Sequence, residues 1–307
     1  MGAYLFIHFI GTESQETHEQ LYFSVSKDGM NWKTLNRKQP ILTSMIGEAG
    51  VRDPYIERGR DGKFYVIATD LSIYHRRYDK NRWLSCQQTG SRSLVVWESP
   101  DLIHWTAPEM IECMPKNAGC LWAPEAEYDP TKDSYMVFWA SKTSDDNFTK
   151  QRMYRAYTKD FRSFTEPEIF IENENCSIDT TITSHNGVFY RFTKDETFKA
   201  VTMERAISLD GPWEPVSTYT IDGIPGNTVF GYEGPTIFKY HNENKWCLML
   251  DHYSGQDGYK PFITTDIAKG EFVSAGDAVF DDIYRHGTTM PITDEEYDTL
   301  VKAYPID

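Results

Sequence analysis

Short apolar runs alternate with polar turns along the whole chain, and one polar phrase follows these runs five times. The phrase is Ser or Thr, a short gap, Asp, and an aromatic residue a few positions later. Its copies lie at residues 26–32, 99–105, 158–164, 208–213 and, more loosely, 265–272. In each copy the Asp begins a turn that reverses the chain into a short strand carrying the aromatic. The pattern predicts a repeated unit of antiparallel strands.

A second apolar run lies upstream of each copy, and a third phrase begins upstream of that run. The third phrase contains an acidic residue in four units (Asp53, Glu125, Asp179 and Glu233) and His286 in the fifth. These positions recur about every 50 residues, except that an insertion at residues 74–92 lengthens the first interval. Four strands in a unit of this length are typical of a propeller blade.

We therefore predict an all-β fold, a five-bladed β-propeller, with residues 1–307 forming a single catalytic domain. The last blade is closed by N- and C-terminal strands: residues 286–292 supply its innermost strand and residues 4–35 the other three. An open solenoid is disfavoured, because no segment resembles the distinct caps that such an array requires.

The innermost strand of each propeller blade lines the central channel, so the five marked residues are expected to face one small volume. Any one acidic residue has an alternative explanation as a turn cap. The whole set is harder to explain in this way, because gathering like charges costs stability. The pattern indicates a functional site with four carboxylates and a histidine.

Paired carboxylates with pKa values pushed apart are the groups that cleave glycosidic bonds. One donates a proton to the leaving oxygen, and the other activates water or attacks directly. The sequence has no G-x-S-x-G, H-E-x-x-H, P-loop or C-x-x-C motif that would indicate other chemistry. Trp122 and Tyr232 are candidates to stack on a sugar ring. For Tyr232 and the other nearby aromatics, however, packing between blades is the preferred explanation, and only for Trp122 is it not.

The net charge of −15 disfavours nucleic acid and anionic membranes as partners and suits a neutral substrate. No run of 18 apolar residues indicates a membrane span. The N-terminal stretch alternates like a strand and lacks the basic region of a signal peptide, although removal of a leader would leave the same pattern. Five cysteines without paired spacing suit a reducing compartment. We expect a cytoplasmic enzyme.

The ordered motifs resemble those of glycoside hydrolase family 43, whose members are five-bladed propellers. The matching motifs are Asp53-Pro54, Trp122-Ala-Pro124, Ile178-Asp179, Glu233-Gly-Pro235 and Arg285-His286-Gly-Thr. They follow the family's order and span essentially the whole chain. The ordered set is specific, although each short motif alone is weak.

This resemblance implies that Asp53 is the general base, Glu233 the general acid, and Asp179 the residue that tunes and orients the acid. It also implies inversion at the anomeric carbon, with base and acid roughly 6.5–9.5 Å apart. No cofactor is expected for the chemistry itself. His286 matches a histidine that helps many members to hold a structural calcium ion in the channel, so the resemblance implies calcium there.

Two residues depart from the family pattern. Arg52 precedes Asp53 where many members have a small residue, and the Arg-Asp-Pro of related invertase-like propellers uses its Asp to contact sugar hydroxyls. Glu125 is a fourth axial carboxylate without an assigned role. Arg52, Trp122, Glu125 and Tyr232 are the candidate substrate-binding residues.

The favoured activity is release of a terminal pentose from arabinoxylan- or arabinan-derived oligosaccharides, by an α-L-arabinofuranosidase, a β-xylosidase or both. The insertion and the loops at residues 144–152 and 173–177 are expected to wall the pocket and to favour exo cleavage. The alternatives are an endo-arabinanase or other glycosidase of the same group and a non-catalytic carbohydrate-binding propeller. A phosphorylase or other transferase would need a basic phosphate pocket that the motifs do not supply.

Overall fold

The protein folds as a ring of five antiparallel blades around a central axis. The structure is a computed structural model that describes residues 2–276 and 278–306. The prediction of an all-β, five-bladed propeller is confirmed. Among the described residues no helix is long and apolar enough to cross a lipid bilayer.

Twenty-two strands and two α-helices follow one another along the described chain. The first strands are β1 (Gly2–Phe9), β2 (Tyr22–Ser26) and β3 (Lys33–Thr34). Blade 1 consists of β4 (Val51–Arg58), β5 (Phe64–Asp70), β6 (Ser93–Ser99) and β7 (Glu109–Glu112), with helix α1 (Arg82–Gln88) between β5 and β6. Blade 2 consists of β8 (Trp122–Asp129), β9 (Ser134–Ser141), β10 (Arg152–Thr158) and β11 (Glu168–Ile171).

The remaining blades continue the same order. Blade 3 consists of β12 (Ser177–His185), β13 (Val188–Asp195), β14 (Ala200–Ala206) and β15 (Glu214–Pro215). Blade 4 contains β16 (Thr220–Ile221), β17 (Ile224–Pro225), β18 (Glu233–Lys239), β19 (Trp246–Asp251), β20 (Tyr259–Thr264) and β21 (Glu271–Ser274). The chain continues with β22 (Arg285–Thr293) and helix α2 (Asp294–Ala303).

Blade 5 is composite and closes the ring. Its strand order is β22, β1, β2, β3, so the C-terminal strand is innermost and the N-terminal strand pairs with it. Leu5 lies opposite Met290 and Ile7 opposite Thr288 in this antiparallel ladder. The predicted splice is therefore confirmed. Blade 4 differs from the prediction, because the hairpin β16–β17 adds two strands beyond β21, with β16 parallel to β21.

The Asp of the repeated phrase caps the turn that leads into the outer strand of a blade. Oδ1 of Asp28 accepts the backbone N–H groups of Met30 and Asn31 at 2.8 and 2.7 Å. Asp101 and Asp160 accept the equivalent pairs of N–H groups in their own turns. Side-chain bonds of this kind fix a turn that has no ladder to satisfy its backbone donors.

Buried aromatic side chains fill the spaces within and between the blades. Trp32, Trp97, Trp139 and Trp246 are almost completely buried. Between blades 1 and 2 the ring of Tyr65 stacks on that of Phe161, with centroids 4.8 Å apart. Large rings suit this position, because neighbouring blades diverge away from the axis and leave a wedge to fill.

Five innermost strands line the central channel side by side: β4, β8, β12, β18 and β22. All of them begin at the same end of the channel. Farther along them lies a cavity of about 390 Å³ whose lining includes Tyr55, Glu57 and Glu125. Burial raises the pKa of Glu57 to about 7, against the opposing effects of its hydrogen bond from Tyr55 and the charge of Arg58. Burial and the charge of Glu57 raise the pKa of Glu127 to about 8.

These two carboxyls should make the fold less stable as the solution becomes alkaline. Their folded-state pKa values lie above the ordinary value of 4.5. Their contribution to the free energy of unfolding is therefore complete below about pH 4.5 and is lost as the pH rises through 7 to 8. The free energy of unfolding, measured with urea, should fall between about pH 4.5 and 8. The Glu57→Gln/Glu127→Gln variant should lose much of this slope, and an identical slope in both proteins would contradict the assignment.

Candidate active site

A cavity of about 290 Å³ lies at the end where the innermost strands begin, and it contains the carboxylates of Asp53, Asp179 and Glu233. These residues come from β4, β12 and β18, three different blades. Cavities of about 340 and 390 Å³ occur elsewhere on the protein, but none of them brings these three carboxylates together. We therefore take the smaller cavity as the candidate active site.

Every innermost strand has a β-bulge at the point where it enters this cavity. The bulged residues are Asp53, Ala123, Asp179, Gly234 and His286. The first four have φ values of 51, 49, 52 and 50°. A left-handed conformation is costly for most residues but less so for Asp, and a bulge redirects side chains that a regular strand would place elsewhere. The bulge therefore aims Asp53 and Asp179 at the axis.

Three bulges are tied to a preceding blade by the backbone N–H of the bulged residue. The N–H of Ala123 donates to Thr69 Oγ1 at 2.8 Å, that of Gly234 to Asp179 Oδ2 at 3.2 Å, and that of His286 to Asp251 Oδ2 at 3.2 Å. Only glycine fits at position 234, because a Cβ atom there would lie 2.6 Å from the His286 ring. The same bonds that lock the blades together also fix the site.

Asp53 is held from two sides and remains open to the cavity. Thr69 Oγ1 donates to its Oδ2 at 2.9 Å. His286 Nδ1 lies 3.4 Å from Asp53 Oδ1 and 3.8 Å from Asp179 Oδ1, so the ring stands between the two carboxylates. The Asp53 side chain is 14% exposed and that of Asp179 only 6%. Asp179 thus lies behind the surface that a ligand would touch.

The pKa values of Asp179 and Glu233 are pushed in opposite directions. Burial raises the pKa of Asp179 to about 6, and the charges of His286 and Lys194 only partly counteract it. Burial also opposes ionisation of Glu233, but Lys194 and Arg285 outweigh it and lower the pKa of that carboxyl. Lys194 Nζ lies 2.7 Å from Glu233 Oε2, and Arg285 Nη2 lies 3.3 Å from Oε1. Without ligand, the proton is therefore favoured on Asp179 over Glu233.

Arg52 does lie at the cavity, but two carboxylates from the N-terminal segment hold it. Its Nη1 lies 2.9 Å from Glu13 Oε1 and 3.0 Å from Glu19 Oε1. Glu19 is completely buried and also accepts the backbone N–H groups of Ile73 and Tyr74, both at 2.9 Å. The Arg52–Glu19 pair therefore fastens the start of the insertion to the wall of the site.

Two tryptophans form an aromatic corner of the cavity. Trp122 enters from the start of β8 and Trp83 from helix α1, with ring centroids 6.4 Å apart and planes at 84°. Trp83 is 42% exposed, whereas Trp122 is 8% exposed. Trp122 thus lies at the cavity, and the insertion supplies a wall through Trp83 and Gln87. The loops at residues 144–152 and 173–177 supply no lining residue.

Two predicted substrate-binding residues are not part of this cavity. Glu125 lies two residues past the bulge of β8, opposite Phe138, and lines the 390 Å³ cavity farther along the axis. Ala123 occupies the bulged position in its blade. Tyr232 stacks on His252 with ring centroids 4.8 Å apart and lines a separate outer cavity of blade 4. The structure therefore does not bring either residue together with the three carboxylates.

The resemblance implied a calcium ion near His286. Within residues 2–276 and 278–306, no group of three or more His, Cys, Asp or Glu side chains is arranged to hold a metal ion. The residues present therefore do not form a calcium cage, and we derive no step through a metal. The channel calcium stays a prediction from the resemblance.

The sequence patterns missed Lys194, Glu196 and the support from Glu19. Lys194 and Glu196 lie at the end of the second strand of blade 3, where the repeat has no distinctive phrase. Glu19 lies in the segment between β1 and β2. A search for polar residues at the ends of second strands would have found Lys194, because β13 runs antiparallel to β12 and ends beside Asp179.

The fold and the site define a class, the five-bladed propellers of glycoside hydrolase family 43 and its relatives. A family model related to family 43, described as "Probable glycosyl hydrolase domain", matches residues 1–298. The chain belongs to this family, and the prediction drawn from the motifs is confirmed.

Named relatives agree with this assignment. An α-L-arabinofuranosidase from Bifidobacterium longum subsp. longum is 30% identical over 283 residues, which cover 78% of this chain and 25% of that protein. The chain thus spans about a quarter of the length of this relative. An exo-β-1,3-galactanase from Phanerochaete chrysosporium has a TM-score of 0.51 at 16% identity, with 70% of this chain and 47% of that one covered. A thermostable family-43 glycoside hydrolase has a TM-score of 0.50 at 15% identity, with 76% of this chain and 75% of that one covered. At these identities the two structures show the fold alone.

Removal of the buried Glu19 carboxylate should destabilise the protein far more than removal of Glu13. Glu19→Gln takes one partner from buried Arg52 and removes the charged acceptor that holds the insertion. We therefore expect the free energy of unfolding to fall by about 3 kcal/mol. Glu13→Gln removes a more exposed partner of the same Arg52 and should cost about 1 kcal/mol or less. Urea unfolding measures both, and equal losses would show that Glu19 does not fasten the insertion.

Proposed function

We propose that the chain is an exo-acting, inverting glycoside hydrolase that releases a terminal pentose, as an α-L-arabinofuranosidase, a β-xylosidase or both. The observation that carries the proposal is the convergence of Asp53, Asp179 and Glu233 from three blades in one cavity. The 30% identity to an α-L-arabinofuranosidase supports the choice of sugar. The same convergence fits other glycosidases of this propeller group, whereas no observation favours a non-catalytic propeller.

The three carboxylates are assigned different roles according to exposure and contacts. Asp53 and Glu233 have side chains 14% and 23% exposed, so both can face a ligand. We assign Asp53 as the general base and Glu233 as the general acid. Asp179 is 6% exposed and accepts the N–H of Gly234, the residue after Glu233. We assign it the role of orienting and tuning the acid.

In the proposed reaction, Asp53 removes a proton from water as the water oxygen bonds to the anomeric carbon. The bond from that carbon to the glycosidic oxygen breaks, and Glu233 protonates the leaving oxygen. Strand β22 lies between β4 and β18, so base and acid stand on non-adjacent innermost strands. Such a separation suits inversion, which needs room for a water between sugar and base.

The cavity supports exo cleavage of a small terminal sugar. Its volume of about 290 Å³ is at the small end of the range for ligand sites. Trp122 and Trp83 offer apolar faces on which a sugar ring can pack, and α1 closes one side. The proposed substrates are oligosaccharides derived from arabinoxylan or arabinan. The cytoplasmic location stays a prediction.

A panel of nitrophenyl glycosides tests the sugar directly. Release of nitrophenol from the α-L-arabinofuranoside or the β-D-xyloside is the expected result, with the β-D-galactoside as a comparison. Hydrolysis of the galactoside alone would overturn the pentose assignment. Internal fragments from linear arabinan would overturn exo cleavage. Binding of arabinose without turnover of any glycoside would favour the non-catalytic propeller.

Single substitutions test the catalytic roles. Asp53→Asn and Glu233→Gln should each lower kcat by about 10²–10⁴ with the fold intact. A glycoside with a good leaving group should partly restore the activity of Glu233→Gln but not of Asp53→Asn, because only the acid assists departure. Glu125→Gln is the matched control, a buried axial carboxyl outside the cavity, and should keep kcat near the wild-type value. If Glu125→Gln lowered kcat as much as Asp53→Asn does, our placement of the site would be contradicted.

A further inference from the structure

The proposed acid has a buried lysine directly against it. Lys194 lies on β13 opposite Ile178, the residue before Asp179. Its side chain is 4% exposed, and Nζ lies 2.7 Å from both Glu233 Oε2 and Glu196 Oε2. The ammonium group also lies 4.5 Å from the centre of the Tyr253 ring. An ammonium group buried this deeply must be paired, because desolvation otherwise favours its neutral form.

Both oxygens of Glu233 are occupied by cations in the free site. Lys194 contacts Oε2, and Arg285 contacts Oε1 while its Nε donates to Asp251 at 2.7 Å. A proton on either oxygen would lie beside a cation, so both cations oppose protonation of this carboxyl. Arg285 is fixed by Asp251, whereas Lys194 has a second acceptor in Glu196. Lys194 is therefore the cation that can move away.

We propose that Lys194 is a positioning residue that keeps Glu233 unprotonated in the free site and must withdraw toward Glu196 before Glu233 can donate a proton to the leaving oxygen. This inference rests on the proposed function. Glu233 takes its proton from solvent as Lys194 moves, then passes it to the glycosidic oxygen. The proton that Asp53 takes from water returns to solvent, so each turnover consumes one water and no net proton.

Other charged groups also act on Glu233, and the experiment must separate them from Lys194. The like charges of Asp179 from β12 and Glu233 repel each other, which raises the pKa of Asp179, and Arg285 and His286 from β22 lower the pKa of Glu233. Asp251 from β19 and Asp53 from β4 complete the surrounding charges. Only Lys194 and Arg285 contact the carboxylate among the cations that the structure describes. Substitution of Lys194 leaves the other groups in place.

The pH dependence of kcat/KM tests the inference. An acid must be protonated to work, so the alkaline limb of the profile reports the pKa of Glu233 in the free enzyme. Lys194→Met removes the cation, raises that pKa and should move the alkaline limb upward by about 1–2 pH units. Lys194→Arg keeps the charge and should restore most of the wild-type position. An unmoved limb in folded Lys194→Met protein would overturn the inference.

Lys199→Met is the matched control. Lys199 pairs with Glu196 but does not contact Glu233, and its side chain is 45% exposed. Its removal takes one positive charge from the same neighbourhood and should leave the alkaline limb in place. An equal shift in Lys199→Met would show that any nearby charge has this effect, which would overturn the specific role of Lys194.

A titration without substrate separates this inference from the proposed function. Carbon-13 NMR of the carboxyl groups, with Glu233 identified by its loss in Glu233→Gln, gives the pKa of Glu233 in the free wild-type protein. The midpoint should lie below the ordinary value of 4.5 and should rise in Lys194→Met, or in Lys194→Gln if the Met variant does not fold. A wild-type midpoint above the ordinary value would overturn the inference, whether or not any glycoside is cleaved.

Discussion

The β-bulge at the start of each innermost strand is the constraint on which the rest of the site depends. A regular strand would alternate its side chains between the two faces of the blade, and neighbouring blades would cover both. The bulge turns one residue of each strand into the channel instead, at the cost of a left-handed backbone at Asp53, Ala123 and Asp179. That cost is offset by bonds between blades, such as the one from Gly234 N–H to Asp179. The same geometry thus joins the blades and presents the carboxylates.

A cluster of acids cannot be stable without cations, and here the cations are arranged in a definite order. Arg285 is fixed by buried Asp251, Arg52 by buried Glu19, and Lys194 is shared between Glu233 and Glu196. The outcome is a difference between the two acids: Asp179, which contacts neither Lys194 nor Arg285, has a raised pKa, whereas Glu233 has a lowered one. The charge balance of the site therefore depends on which acid each cation touches, rather than on the number of charges in the cavity.

The repeat made the fold predictable, because propeller blades are local units whose turn phrases carry a physical signal. The capping Asp28, Asp101 and Asp160 mark the turns, and the interval between units fixes the number of blades. The carboxylates were predictable where an acid lies at the bulge, as Asp53 and Asp179 do, or directly before it, as Glu233 does. In blade 2 the bulged residue is Ala123, and the search for an acid selected Glu125, two positions too far along the strand. None of the repeated phrases marks Lys194, because its role comes from a contact with another blade.

The composite blade makes the site a product of ring closure. His286 and Arg285 come from β22, whereas Glu13 and Glu19, which hold Arg52, come from the segment after β1. Strand β22 forms its ladder with β1, so the two ends of the chain must meet before either set of residues is in place. Before closure, Glu233 would have Lys194 but not Arg285, and Asp53 would lack His286. The charge arrangement that distinguishes the acids therefore exists only in the closed propeller, and it links the stability of the ring to its proposed chemistry.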